Sequence, residues 1–305
     1  MKRISPILIL VLVSACSGGG DPETSSKAWR VNTTSGAVTA EVAKNVVSWR
    51  DIPYAQPPVG ALRWRAPRPV ESPLGELSVR DNVACLQVAW DGGGIPGDGV
   101  VGAEDCLYLD ITAPVRASAV EPLPVMFWIH GGGNTSGFKG YYDFSTLVES
   151  QQVIVVAINY RLGPFGWFSH PVVQKQAEGL DRSSNFGTLD IIQALSWVQQ
   201  NISEFGGDAK NVTLFGESAG GHNVFALLAS PLSEGLFQKA ISQSGYLKTN
   251  TVKEAINAGK DYPRIRLSSS QLFASMVDAG VLADVSTKSA YDVAGNTLMV
   301  LPATS

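Results

Sequence analysis

The chain of 305 residues carries 23 Lys and Arg against 27 Asp and Glu, a formal net charge of -4. It has no positive surplus to set against a phosphate backbone, which excludes nucleic acid as the expected partner. Charged residues make up 16% of the sequence and apolar ones 45%, so a sizeable core can be buried and disorder is excluded as the main state.

In chain order, residues 1–15 read as a signal peptide: Lys2 and Arg3 precede an apolar run over residues 4–13, closed by the small residues Ser14 and Ala15. The run is too short to cross a hydrocarbon core, which needs about 20 residues. Val13, Ser14, Ala15 and Cys16 resemble a bacterial lipobox. That resemblance implies lipidation of Cys16, attachment to a membrane through the lipid, and an exported bacterial lipoprotein facing the periplasm or the cell surface. An ordinary signal peptide that happens to contain a cysteine is the alternative. Residues 16–28, rich in Gly and Ser, read as a tether, and residues 29–305 as the folded domain.

Within that domain, β-branched runs at 36–40 and 45–49 predict short strands, and the Pro-rich stretch 53–73 predicts an extended loop. With Cys16 set aside, Cys85 and Cys106 are an even pair in an exported protein, which predicts a disulfide closing a Gly-rich loop. Two buried thiols are the alternative; no neighbouring His and no metal spacing makes these cysteines catalytic. From residue 107 the pattern becomes apolar strands (107–112, 125–130, 153–160, 212–215, 239–243) alternating with helical segments. Leu189, Ile191, Ile192, Leu195 and Val198 give residues 188–201 an apolar stripe, and a second helix at 219–228 opens on glycines and closes before Pro231. This order predicts an α/β fold, a mostly parallel central sheet with helices on both faces. Residues 268–279 read as helical, with no clear strand after about residue 250.

Two glycine motifs carry the chemistry. Gly216-Glu217-Ser218-Ala219-Gly220 lies directly after a predicted strand and directly before a predicted helix, the context that a nucleophile elbow requires. Alone, such a pentapeptide is often no more than a Gly-rich turn. Upstream, His130-Gly131-Gly132-Gly133 ends another strand and resembles an oxyanion loop, whose consecutive glycines let backbone N–H groups face a developing negative oxygen. No Lys-Ser/Thr follows it, so a phosphate-binding loop is disfavoured.

Further stretches join these motifs. They are Asp51-Ile52-Pro53-Tyr54-Ala55 with Pro57 to Gly60 and Leu62-Arg63-Trp64, then Glu104-Asp105-Cys106-Leu107-Tyr108-Leu109, then residues 185–221 with Phe205-Gly206-Gly207-Asp208. Together they resemble the carboxylesterase type B family, the α/β-hydrolase branch that includes cholinesterases and bacterial para-nitrobenzyl esterases, over residues 30–245. The resemblance implies the α/β-hydrolase fold and hydrolysis of a small-molecule carboxylic ester through an acyl-enzyme at Ser218, with no cofactor or metal. It implies an oxyanion hole from Gly132, Gly133 and Ala219, and Glu217 beside the nucleophile in the gorge, where the alternative is a surface carboxylate at a turn. It also implies the Cys85–Cys106 disulfide and buried ion pairs Arg63–Glu104 and Arg161–Asp190. The family's choline-type site uses a Trp shortly before the second loop cysteine; residues 94–99 here are Gly-rich, so choline specificity is not supported.

In this fold the triad acid and His follow the serine. The histidines are His130, His170 and His222: the first belongs to the glycine loop, the second precedes the nucleophile, and the third sits one helical turn beyond it. None is expected to act as the base, so the sequence reads as a C-terminally truncated domain without the triad acid and His. A catalytically inactive product of the fold, or an interaction protein built on it, is the competing class.

Overall fold

Strand β9 (Ile154–Ile158) is buried at every position, as its unbroken apolar run requires of a strand covered on both faces. In the computed structural model, which describes residues 29–256 apart from 81–82, 93, 118–119, 176, 248, 250 and 252–254, this strand lies at the middle of a seven-stranded sheet. The predicted signal peptide and tether, and the predicted helix at 268–279, lie outside the described residues.

In chain order the strands are β1 (Arg30–Thr33), β2 (Gly36–Thr39), β3 (Glu41–Ala43), β4 (Val46–Pro53), β5 (Gln87–Val88), β6 (Val100–Val101), β7 (Tyr108–Pro114), β8 (Leu123–Ile129), β9, β10 (Gly207–Glu217) and β11 (Lys239–Gln243). The main sheet runs β11-β10-β8-β9-β7-β4-β3. Pairing is parallel across β9, β8, β10 and β11, and antiparallel from β9 through β7 and β4 to β3. The helices are α1 (Ser145–Gln151), the short α2 (Gly163–Gly166) and α3 (Pro171–Gln174), α4 (Phe186–Asn201) and α5 (Ala219–Ala229).

Alternation along the parallel strands sorts side chains onto two faces. Val125, Phe127, Ile129, Ile154, Val156, Ile158, Val212 and Leu214 pack with Ile191, Leu195 and Val198 of α4 and with Val224 and Leu227 of α5. On the other face Trp128, Val155, Ala157 and Phe215 pack with Val148 of α1. Helices therefore cover both faces, as the periodicity predicts.

Boundaries differ from the sequence reading for local reasons. The strand predicted at 45–49 continues to Pro53, because Asp51 adopts φ 56° and absorbs a register shift between Trp49 and Ile52. Helix α1, absent from the sequence reading, follows Phe144, which makes no side-chain cap; the Ser145 N–H is instead taken by Asp143 Oδ1 at 2.9 Å, so the start signal stands one residue early. Stretch 53–73 is an extended loop with one 3-10 turn, Gly60–Leu62, anchored by the fully buried Tyr54 and Trp64.

Cys85 and Cys106 are joined in a disulfide that encloses the β5–β6 ladder. Both expected ion pairs form. Arg161 donates through Nε and Nη2 to Asp190 Oδ2 and Oδ1 at 2.8 and 2.6 Å, with both side chains buried, and Arg63 pairs in the same two-pronged way with Glu104. A third, unforeseen cluster places Lys139 Nζ 2.7 Å from Asp51 Oδ1 and 2.7 and 2.8 Å from the two Asp110 oxygens. Burial pushes the Asp110 carboxyl above its ordinary range, and Lys139 opposes that shift.

Removing one partner of a fully buried pair strands the other charge, so Asp190→Ala should cost about 3–5 kcal/mol in urea unfolding. Opening the exposed Arg30–Glu76 pair with Glu76→Ala should leave the transition where it is. Equal effects of the two changes would contradict the buried-pair reading.

Candidate active site

Ser218 occupies the one-residue turn between the end of β10 and the start of α5, at φ 54° and ψ -117°. This is backbone space that side chains other than glycine enter at a cost of about 1–3 kcal/mol, so the surroundings must enforce it. They do so through close approach. A methyl added to Gly220 would lie 2.0 Å from the Ile129 carbonyl oxygen, and one added to Gly216 would lie 2.6 Å from the Gly220 carbonyl carbon. On the other side, Gly221 packs against the Gln243 carbonyl, and the Ser218 N–H donates to that carbonyl at 2.9 Å. The flanking glycines of the G-x-S-x-G motif are thus required by contact with β8 and with each other, and Gly221 just beyond them by contact with β11.

The loop after β8 meets this elbow. A methyl on Gly131 would sit 2.9 Å from the Glu217 carbonyl oxygen and 3.4 Å from Ser218 Cβ. Gly132 and Gly133 follow at φ 94° and 64° and Asn134 at 59°, a left-handed run that coils the backbone into a short turn. Its centre is the Gly132 carbonyl, which accepts from the N–H groups of Thr135 and Ser136, both at 3.0 Å, and from both hydroxyls at 3.2 Å. A trans peptide points its N–H opposite to its C=O, so anchoring this carbonyl fixes the direction of the Gly133 N–H. Among the described residues, the N–H groups of Gly132, Gly133 and Ala219 have no intramolecular acceptor.

Glu217 is half-buried, with a carboxylate oxygen 3.0 Å from where a Gly131 methyl would stand. Burial raises the pKa of the Tyr142 phenol, and Tyr141 and then the Glu217 charge add to that shift. Glu217 therefore faces the glycine loop.

The histidines are placed as follows. His130 is buried and stacked on Tyr160 at 4.3 Å, with Nδ1 2.9 Å from the Gly131 carbonyl oxygen; burial pulls its pKa down to about 4, so it is neutral at physiological pH. His170 stacks on Phe168, and burial lowers its pKa too. His222 projects from α5 against the Tyr246 ring, with centroids 3.8 Å apart.

Sequence reasoning missed Gln87. Its side chain is buried, donates to the Gly137 carbonyl at 3.0 Å and accepts the Gly137 N–H at 2.9 Å, and so ties the disulfide loop to the glycine loop. Gly137 cannot carry a side chain, since a methyl there would stand 2.3 Å from His130 Nδ1. A lone Gln on a two-residue strand carries no periodic signal, and its position two residues after Cys85 was the only hint.

Comparison with known proteins shows the family to which this fold belongs. The family profile described as "Carboxylesterase family" matches residues 27–265. Para-nitrobenzyl esterase of Bacillus subtilis (strain 168) is 42% identical over 245 residues, covering 77% of this chain and 47% of that protein. Fumonisin B1 esterase of Sphingopyxis macrogoltabida is 44% identical over 218 residues, covering 70% of this chain and 39% of that one. The solved structure of a thermophilic PNB esterase superposes with a TM-score of 0.68 at 38% identity, over 87% of this chain and 52% of that chain. The chain thus spans about half the length, or less, of the relatives it matches. With a matching profile across most of the sequence and the α/β-hydrolase architecture around Ser218, the chain belongs to the carboxylesterase family.

Proposed function

We propose that the protein hydrolyses a small-molecule carboxylic ester through an acyl-enzyme at Ser218. The observation that carries this reading is the elbow itself: a serine held at positive φ by close-packed glycines, beside the free N–H groups of Gly132, Gly133 and Ala219. The Ser218 hydroxyl attacks the ester carbonyl carbon and gives up its proton to a base, and the carbonyl oxygen becomes an oxyanion held by the three N–H groups. Collapse breaks the bond to the alcohol, which leaves with a proton. Water then attacks the acyl-serine by the same route, releasing the carboxylic acid and restoring Ser218. Glu217, next to the nucleophile and facing the loop, lines the gorge. The base is none of the three histidines: His130 is committed to Tyr160 and Gly131, His170 lies on the loop before α3, and His222 leans on Tyr246.

In the complete protein expressed from its gene, Ser218→Ala should lower kcat for a short-chain nitrophenyl ester by about 10⁴-fold or more. His170→Ala and His222→Gln should each stay within a few-fold of the parent. A large loss at either histidine would make it the base, and a small loss at Ser218 would remove the acyl-enzyme mechanism.

The same proposal extends to location. Residues 1–15 are removed as a signal peptide, and Cys16 carries lipid that anchors the mature domain to a bacterial membrane, supported by the run Val13 to Cys16. Cys16→Ser should move the protein from the membrane to the soluble fraction. A parent protein that is already soluble would refute the anchor.

A further inference from the structure

The proposed oxyanion hole stands on two separate pieces of backbone, the loop at Gly132 and Gly133 and the first turn of α5 at Ala219. Donors stabilise a developing oxyanion only when they converge on one point, and a displacement of about 0.5 Å is enough to spoil such a site. The helix is seated against β8 by the contact of Gly220 with the Ile129 carbonyl. The loop projects beyond the end of that strand, where Gly131 touches the elbow, and Gly132 and Gly133 beyond it need a further tie to the helix.

Asn134, the residue directly after the three glycines, supplies that tie. Its Oδ1 accepts from Nδ2 of Asn223 at 3.0 Å, and Asn223 is a buried residue on α5, in the second turn after Ser218. Tyr160 completes the junction. Its single hydroxyl proton goes to the His130 carbonyl at 2.6 Å, while Oη lies 3.3 Å from Asn134 Oδ1. The Asn134 carbonyl takes the Gly163 N–H at 2.7 Å, so this residue is held by side chain and backbone together.

The choice of residue is informative. At φ 59° glycine would be the least strained occupant, and asparagine is among the few others that enter this region readily. A fourth glycine would satisfy the backbone; asparagine satisfies it and adds an acceptor aimed at α5.

We propose that Asn134 and Asn223 are positioning residues whose amide–amide hydrogen bond fixes the separation of the two halves of the oxyanion hole. The inference rests on the acyl-enzyme reading at Ser218. Neither side chain touches the reacting atoms, so their loss should be felt where charge develops on the carbonyl oxygen and not in binding of the uncharged ester.

The test uses Asn134→Gly, which keeps the left-handed backbone and deletes the acceptor, and Asn223→Ala, which deletes the donor, in the complete protein expressed from its gene. Displacing donors without removing them should lower kcat by about 10-fold, with KM within two-fold of the parent. Affinity for a trifluoromethyl ketone, which adds a serine to form an oxyanion, should fall by the same factor, while affinity for the matching secondary alcohol holds. Because both changes break one bond, the double variant should be no slower than the slower single. The clamp is overturned if kcat is unchanged in Asn134→Gly, if only KM moves, if the two losses multiply, or if the ketone and the alcohol weaken together. Should Asn223→Ala fail to fold, Asn134→Gly on the loop carries the same kcat and ketone criteria alone. Ser218→Ala run beside them separates the two levels: a dead Ser218→Ala with unaffected asparagine variants defeats the clamp only, whereas an active Ser218→Ala defeats the mechanism beneath it.

Discussion

The close approach of α5 to the end of β8 is the constraint on which the site depends. Gly220 lies so near the Ile129 carbonyl that no β-carbon fits between them, and Gly216 is equally crowded from the helix side. With both neighbours forced into contact, the residue between them must turn sharply, and Ser218 is driven to φ 54°. The strain of about 1–3 kcal/mol in that residue is met by the burial of β8, β10 and α5 in one core. The same turn makes Ala219 the first residue of α5, where its N–H has no helical partner and the helix dipole favours negative charge.

The loop that completes the site is held from several directions at once. From below, the Gly132 carbonyl is gripped by Thr135 and Ser136; from the disulfide loop, Gln87 holds Gly137 by two hydrogen bonds; toward the antiparallel half of the sheet, Lys139 is buried between Asp51 and Asp110. The Cys85–Cys106 bond thereby acts at a distance from the chemistry, since it fastens the segment that presents Gln87. Lys139 serves a comparable purpose: its backbone N–H donates to Asn159 Oδ1 while its ammonium reaches β4 and β7, so the stretch leaving the glycine loop is stapled to the sheet.

Much of this was legible in the sequence because it is periodic or spaced. The apolar runs predicted the central strands and both long helices, with errors of a few residues at their ends. The elbow and the glycine loop were legible because glycine is demanded at fixed offsets by the contacts described above. The pairs Arg63–Glu104 and Arg161–Asp190 were expected from family resemblance and not from spacing. The Lys139 cluster was missed, although a lysine between Phe138 and Gly140 in an apolar stretch was a signal that a buried charge needed partners. Gln87, Asn134 and Asn223 were missed because single polar residues on a two-residue strand, in a turn and on a helix carry no period, and their pairing exists only once the fold has brought distant segments together.

The most direct measurement addresses the helix–strand contact. Gly220→Ala places a methyl 2.0 Å from the Ile129 carbonyl oxygen, which must push α5 away from β8 and release the strained turn at Ser218. Thermal unfolding and nitrophenyl-ester turnover of this variant, in the complete protein, should both fall, the first by several degrees for about 2 kcal/mol of strain and the second by about 100-fold or more as the turn relaxes. A variant as stable and as active as its parent would show that the close approach is not what holds Ser218 in place.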